Sequence, residues 1–326
     1  MSKAKLIDPF GRLVEYLRLS VTDRCDLRCA YCIPEGFKGF EEPADWLTFD
    51  EIERLIGLFA QMGLKRVRLT GGEPLLRRNI IDLTQRLAAL PGIEDLSLST
   101  NATQLARHAP ALKASGVTRL NVSLDSLDPQ QIIRIAGRDA LADILAGLEA
   151  ARQTGFAPIK LNMVVMQENV DAIDNMVNYC MERGFVLRLI ELMPMGETAR
   201  RLGYVDLQPV KTRLQQKFDL IDTVMNGGGP ARYLGTPDGR FNVGFITPMS
   251  QHFCATCNRV RLTVDGVLHL CLGQEDRLEL RPLLRKGASD SDLIQALQEA
   301  IAHKPERHEF NEQPAKTIRF MNATGG

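Results

Sequence analysis

Along this chain the hydrophobic positions switch repeatedly between two periods. Short apolar or alternating runs, the pattern of a strand, are followed by stretches with apolar residues three and four apart, the pattern of an amphipathic helix. The first run, Leu13–Ser20 (LVEYLRLS), predicts a strand. Leu47–Met62 has helical periodicity, with Thr48 as N-cap and Glu51 at the capping-box position. Further strands are predicted at Arg66–Thr70, Asp95–Thr100, Arg119–Leu124, Ile159–Met166 and Leu187–Leu192. Helices are predicted between them at Asn79–Leu90, Gln104–Ser115, Leu141–Gly155 and Asn169–Arg183. Gly63, Gly116, Gly155 and Gly184 each stand where a helix should stop before the next strand.

Six such β/α units imply a parallel sheet with helical crossovers, either an open doubly wound sheet or a curved, partial TIM-type barrel. In barrels the chemistry sits on the loops that follow the strands. Here Cys25–Cys32 follow the first strand, Gly71-Gly72-Glu73-Pro74 the second and Ser99-Thr100-Asn101 close the third. Ser123 and Asp125 end the fourth, and Met193 and Pro194 follow the sixth. That alignment favours α/β architecture of the partial (β/α)6 barrel kind. From about Asp206 the pattern changes to a helix near Leu207–Phe218, a turn-rich stretch at Gly227-Gly228-Gly229-Pro230 and short strands around the 240s, Val260–Val264 and Val267–Leu270. A last helix spans roughly Ser291–His303. The expected division is a barrel over 1–205 and a C-terminal α+β extension over 206–326, packed on it. No internal repeat or low-complexity segment interrupts this pattern.

The bulk numbers change little. The chain has 326 residues, 44% hydrophobic and 25% charged, with a formal net charge of zero, which is ordinary globular composition. A neutral balance with 6% aromatic residues speaks against a nucleic-acid-binding module. No apolar run is long enough to cross a bilayer, and Met1-Ser2-Lys3-Ala4-Lys5 leads into no signal core, so the expectation is a cytoplasmic protein without a membrane partner. In that compartment seven clustered cysteines mean metal or redox chemistry rather than disulfides. Cys180, alone in a helical run, reads as a small buried apolar residue.

The cysteines carry the chemistry. Cys25, Cys29 and Cys32 are spaced C-x3-C-x2-C on the loop that leaves the first strand and runs on through Pro34, Gly36 and Gly39. Three convergent thiolates suit a cuboidal iron–sulfur cluster with one iron left open, since such clusters usually take four. The alternative is a structural zinc, but zinc loops usually arrive as paired C-x2-C units and the x3 gap argues against it. With an aromatic, Tyr31, just before the third cysteine, the segment resembles the signature of the radical S-adenosylmethionine (radical SAM) enzymes. In that family the open iron chelates SAM, and electron transfer yields a 5′-deoxyadenosyl radical.

A second set, Cys254, Cys257 and Cys271, is spaced C-x2-C-x13-C. By spacing alone, a second cluster and a Cys3His zinc site completed by His252 or His269 stand about level. Arg259 and Arg261, two apart on a predicted strand and so on one face, tilt the reading toward a phosphate-bearing ligand beside the metal. With FCATCNRVR, LTGGEPLLRR and the terminal Gly-Gly added, nearly the whole chain resembles the GTP 3′,8-cyclase family of molybdenum cofactor biosynthesis.

That resemblance implies specific roles. Cys25, Cys29 and Cys32 would hold the SAM-cleaving [4Fe–4S] cluster, and Cys254, Cys257 and Cys271 a second [4Fe–4S] cluster that meets the guanine of GTP. Tyr31, Gly72, Ser123 and Met193 match SAM contacts, Gly72 because glycine permits close backbone approach. Arg18, Arg68, Lys160, Arg188, Arg259 and Arg261 match basic residues around GTP. Arg18 and Lys160 lie in apolar strands, where an unpaired charge is costly. A triphosphate would remove that cost, as would a barrel carboxylate such as Glu191. Ser99 stands where the family usually has the first of two threonines and keeps the hydroxyl that contacts GTP. Gly325 and Gly326, preceded by a threonine, match a tail that reaches into the site and acts with Arg259 and Arg261.

The implied reaction is abstraction of hydrogen from ribose C3′ of GTP and closure of C3′ onto guanine C8, giving 3′,8-cyclo-7,8-dihydroguanosine 5′-triphosphate. The implied partners are GTP, a flavodoxin- or ferredoxin-type reductant, and a downstream cyclic pyranopterin monophosphate synthase, for a monomer or homodimer that binds no nucleic acid.

Overall fold

The computed structural model describes residues 5–33, 43, 45–225, 227–313 and 319–325. Pro34, Gly36, Gly39 and Gly326, named above, lie outside them. The described residues form twelve strands in one sheet. In chain order they are β1 (Tyr16–Ser20), β2 (Arg66–Thr70), β3 (Asp95–Thr100), β4 (Arg119–Ser123), β5 (Ile159–Val165), β6 (Val186–Glu191), β7 (Ile221–Thr223), β8 (Arg232–Gly235), β9 (Asn242–Ile246), β10 (Arg259–Leu262), β11 (Val267–His269) and β12 (Arg277–Glu279).

β1 to β6 pair in sequence order, each parallel to the next, which is the barrel wall the sequence predicts. Their crossover helices, Phe49–Gln61, Ile80–Ala88, Leu105–Ala114, Leu141–Gln153 and Ile173–Arg183, cover the outside. Thr48 and Glu51 close the predicted capping box reciprocally. The outward-facing apolar residues of the strands and the inner stripes of the helices form one continuous core, with Leu17, Leu19, Val67, Leu69, Leu98, Leu120 and Leu161 fully buried.

Two features differ from the sequence expectation. A further helix, Pro129–Ala136, stands between β4 and its crossover. Asp128 caps it through Gln130 N–H and Pro129 opens it, start signals in a stretch where the sequence pattern assigned no element. The C-terminal part also adds strands to the barrel wall itself. β10 pairs parallel with β1 and β9 parallel with β6, so both open edges are extended. Antiparallel β11–β12 and β8–β7 then finish the sheet on either side. Several of these strands have only three or four residues, too short to show a period.

Candidate active site

The C-terminal ends of the strands open into a cavity of about 260 Å³ lined by both cysteine sets. Beyond β1, backbone contacts rather than regular structure shape the first cysteine loop. Arg28 N–H donates to Ala136 O at 2.8 Å and Ala30 N–H to Ile135 O at 2.9 Å, so the unpredicted helix props the loop. On the other side, Gly72 N–H donates to Thr22 O at 2.9 Å and Glu73 N–H to Arg24 O at 2.6 Å. A Cβ on Gly72 would sit 2.1 Å from Arg24 O. Gly72 lines the cavity, but the close approach its lack of a side chain permits is with the cysteine loop itself.

Carboxylates buried behind the loop fix it further. Glu73 accepts from Leu75 N–H, Thr100 Oγ1 and Asn101 N–H, tying the loop after β2 to the end of β3. Burial pushes its carboxyl up to about 7. Asp26 accepts from Asn101 Nδ2 at 2.8 Å and Thr103 Oγ1 at 2.7 Å. Tyr31 donates to Asp125 Oδ2 at 2.8 Å, and Val164 N–H donates to its other oxygen at 2.9 Å. Burial raises the Asp125 carboxyl to about 6.

The second set is assembled differently. Cys254 and Cys257 lie at either end of a short helical turn before β10, and Cys271 follows β11. The ion pair of Arg12 with Asp8 at 2.5 Å is buried, and Arg12 also donates to the carbonyls of Cys254, Pro305 and Glu306. Lys304 Nζ donates to Leu270 O at 2.6 Å, and Arg319 donates to the carbonyls of Leu272 and Gln274. Burial raises the thiols of Cys254 and Cys271. At Cys257 burial is outweighed by Arg259 and Lys304, and the thiol is held below its usual range.

The donor chemistry of both sets fits polynuclear clusters. A cuboidal cluster holds each thiolate on a different iron, farther apart than donors to one ion. All six cysteines line the same cavity. Yet among the described residues neither cysteine trio closes around a single ion; the one group that does is His252, Cys254 and His308, within 4.8 Å of one another.

Between the two sets the sheet register stacks cations. Arg18 on β1 stands opposite Arg68 on β2 and Arg261 on β10. Like charges directly opposite repel. Arg18 keeps some exposure because it faces the cavity, but its Nε is sealed without a partner, and among the described residues it has no ion pair. Burial, then Arg261 and Arg68, hold its pKa well below the usual range. Arg188 donates to Asn121 Oδ1 and leaves Nε unpartnered, and Arg261 donates to Gly325 O. Burial and neighbouring guanidinium groups lower Lys160 to about 8, Arg188 to about 10 and Arg261 to about 9. Glu191 does not neutralise this group; it accepts from Met249 N–H, Ser250 N–H and Tyr204 Oη.

Tyr31, Gly72, Ser99, Ser123, Met193, Arg18, Arg68, Arg188, Arg259 and Arg261 all line the main cavity. Lys160 lines a small adjoining pocket that shares Arg68 and Arg188 with it. Gly325 reaches the mouth of the barrel with φ +73°, and a Cβ there would lie 2.1 Å from Thr70 Cγ2.

Comparison with known proteins settles the family. The Radical SAM superfamily model matches residues 19–180, and the Molybdenum Cofactor Synthesis C model matches residues 185–310. "GTP 3′,8-cyclase 1" of Pseudomonas aeruginosa is 46% identical, covering 98% of this chain and 99% of that protein. The chain belongs to the GTP 3′,8-cyclase family of radical SAM enzymes. Other members at 44% identity come from Ectopseudomonas mendocina, with 100% of both chains covered, and Paracoccus denitrificans, with 99% and 96% covered. Members of the radical SAM superfamily carry a [4Fe–4S] cluster and bind SAM. Streptococcus suis SuiB bound to S-adenosylmethionine has a TM-score of 0.62 at 15% identity, covering 87% of this chain and 68% of that one, and shares its fold.

Sequence reasoning missed several groups around these cavities. Asn162, Arg119, Tyr16 and Tyr233 face the cavities from strands where they read as ordinary alternating positions, and Asn121 acts behind them as the acceptor of Arg188. Gly227–Gly229, read as a turn, walls the pocket beside Lys160. Arg12, Lys304 and Arg319 act through backbone carbonyls, which no spacing announces.

Proposed function

We propose that this chain is a GTP 3′,8-cyclase that converts GTP to 3′,8-cyclo-7,8-dihydroguanosine 5′-triphosphate, the first step of molybdenum cofactor biosynthesis. The observation that carries the reading is the row Arg261–Arg18–Arg68 across three adjacent strands, with Arg18 Nε unpartnered, flanked by two sets of three cysteines. Such a row is costly until a polyanion binds, and a nucleoside triphosphate brings that charge with a base to reach the second metal group.

Cys25, Cys29 and Cys32 are the proposed ligands of the SAM-cleaving cluster, and Cys254, Cys257 and Cys271 those of a second [4Fe–4S] cluster. When bound, the first cluster and SAM supply the 5′-deoxyadenosyl radical that takes hydrogen from C3′. The chain's own residues do the rest by position. Gly72, Ser123, Met193 and the backbone of Tyr31 line the SAM end of the cavity. Arg18, Arg68, Lys160 and Arg188 would hold the triphosphate, with Ser99 Oγ, buried and unpartnered, free to donate to the nucleotide. Arg259 and Arg261 stand between the second cysteine set and the ribose. Gly325 closes the mouth and excludes water, and Arg261 anchors it through the Gly325 carbonyl.

Residues 1–205 are then the barrel unit, and 206–326 the unit that supplies the second cluster and the tail. No helix among the described residues is long and apolar enough to cross a membrane. We place the protein in the cytoplasm, as a monomer or homodimer with a flavodoxin- or ferredoxin-type donor, handing its product to a cyclic pyranopterin monophosphate synthase.

The test is anaerobic reconstitution followed by incubation with SAM, GTP and a reductant. GTP-dependent 5′-deoxyadenosine together with the cyclised triphosphate is the expected result. SAM cleavage indifferent to GTP would remove the substrate assignment and leave the superfamily membership.

A further inference from the structure

The second cysteine set contains a tighter grouping than the cluster needs. His252 Nδ1 and His308 Nε2 lie 3.2 Å apart, and with Cys254 Sγ they make a group of three ligand atoms within 4.8 Å. Zinc–nitrogen bonds of about 2.0–2.1 Å put two imidazole nitrogens about 3.3 Å apart at the corners of a tetrahedron. The histidine pair already has that separation. Cys254 adds a thiolate, and two neutral imidazoles with one thiolate are a donor set suited to a divalent borderline-soft ion with its fourth position open.

The surroundings support ligation. His252 is exposed, Cys254 half-buried and His308 buried, so an ion can enter from solvent past His252. Ligating histidines usually donate their other ring N–H to a carbonyl or carboxylate. The His308 ring has one such acceptor, the Pro248 carbonyl, while Phe310 N–H donates toward Nδ1 at 3.4 Å. With an ion on Nε2, Nδ1 must carry the proton, so the long contact from Phe310 N–H gives way and Pro248 O is the carbonyl at hand to accept.

We propose that His252, Cys254 and His308 form a mononuclear site for one zinc-class divalent ion, and that filling it keeps an iron–sulfur cluster out of the second cysteine set. The exclusion follows because Cys254 cannot belong to both groups, and the ion would hold it at the histidine end. Only this consequence rests on the second-cluster reading; the ion site stands on the three residues alone.

The probe is Co(II), titrated anaerobically into the metal-free full-length chain. One equivalent should give the visible bands of tetrahedral Co(II) with charge transfer from a single thiolate. His252→Ala and His308→Ala should each weaken binding about tenfold or more, while Cys271→Ser should leave it unchanged. His252 is exposed, so its variant keeps the test sound even if loss of buried His308 disturbs folding. No one-equivalent tetrahedral signal overturns the proposal. So does a signal that survives His252→Ala but is lost in Cys271→Ser, which would mark a three-cysteine ion site. In a second arm, zinc-loaded chain should take up half the iron of zinc-free chain; equal uptake overturns the exclusion. If zinc-free chain itself takes iron for one cluster, the second-cluster reading fails while the Co(II) result still decides the ion site.

Discussion

Arg18 offers a test in which stability and function should move in opposite directions. Its guanidinium has Arg68 on one side and Arg261 on the other, an unpartnered Nε, and among the described residues no carboxylate to neutralise it. Without a nucleotide, that arrangement is a cost. Replacing even a paired set of buried charges by well-packed apolar groups is often neutral or stabilising by about 1–4 kcal/mol, and among the described residues Arg18 has no pair to lose. Arg18 is partly hydrated through the cavity, so Arg18→Met should lie at the lower end, about 1 kcal/mol more stable by urea unfolding of the nucleotide-free chain. GTP binding should change the other way. A hydrogen bond to a charged group contributes about 1.5–3 kcal/mol, which is about a 10- to 150-fold loss in affinity by calorimetry. Wild-type chain should therefore gain more stability from saturating GTP than the variant does. Arg18→Met that destabilises the free chain and binds GTP with wild-type affinity would refute the reasoning, because Arg18 would then be a structural residue paired in some other way.

Other substitutions probe separate contacts. Gly325→Ala places a Cβ 2.1 Å from Thr70 Cγ2 at a φ of +73° that non-glycine residues rarely adopt, so the tail should leave the mouth. Turnover should fall at least tenfold with iron content unchanged; normal turnover would show that the tail's seat is dispensable. Gly72→Ala drives a Cβ to within 2.1 Å of Arg24 O. Here iron bound at the first cysteine set should fall before any effect on GTP affinity appears, and full iron loading would refute the bracing role. Glu73 carries a pH signature. Burial raises its carboxyl from 4.5 to about 7 in the folded chain, so its contribution is complete below about pH 4.5 and is lost as pH rises through 7. The loss amounts to about 3 kcal/mol. Glu73→Gln should flatten the fall in cluster-free stability between pH 5 and 8, and an unchanged slope would assign it to another group.

The β/α rhythm was legible because each strand carries a short apolar or alternating run and all but one of the crossover helices, Ile80–Ala88, stop at a glycine. Gly63, Gly116, Gly155 and Gly184 all take positive φ, as helix stops do. Cys25, Cys29 and Cys32, and Arg259 with Arg261, were legible because each spacing lies within one loop or one strand, and Cys271 because a single hairpin separates it from Cys254 and Cys257. What stayed hidden depends on pairing between distant strands. Nothing local to Arg18 says that it stands between Arg68 and Arg261, since that follows from β10 joining β1. His308 was invisible for the same reason: it is 54 residues from Cys254 in sequence and meets it only through the fold.

That pairing also explains why one chain must carry both halves of the site. A barrel of six strands has two open edges, each a row of unsatisfied backbone groups. The C-terminal part satisfies both: β10 covers β1 and β9 covers β6. Covering β1 sets Arg259 beside Tyr16 and Arg261 beside Arg18, one strand away from the loop that carries Cys25. Covering β6 brings Met249 and Ser250 onto Glu191, which seats the segment leading to Cys254. The edges that would otherwise invite aggregation are thus the surfaces that fix the distance between the two cysteine sets. A chain cut after the barrel should lose both its solubility and the basic row, rather than keep a working SAM site alone.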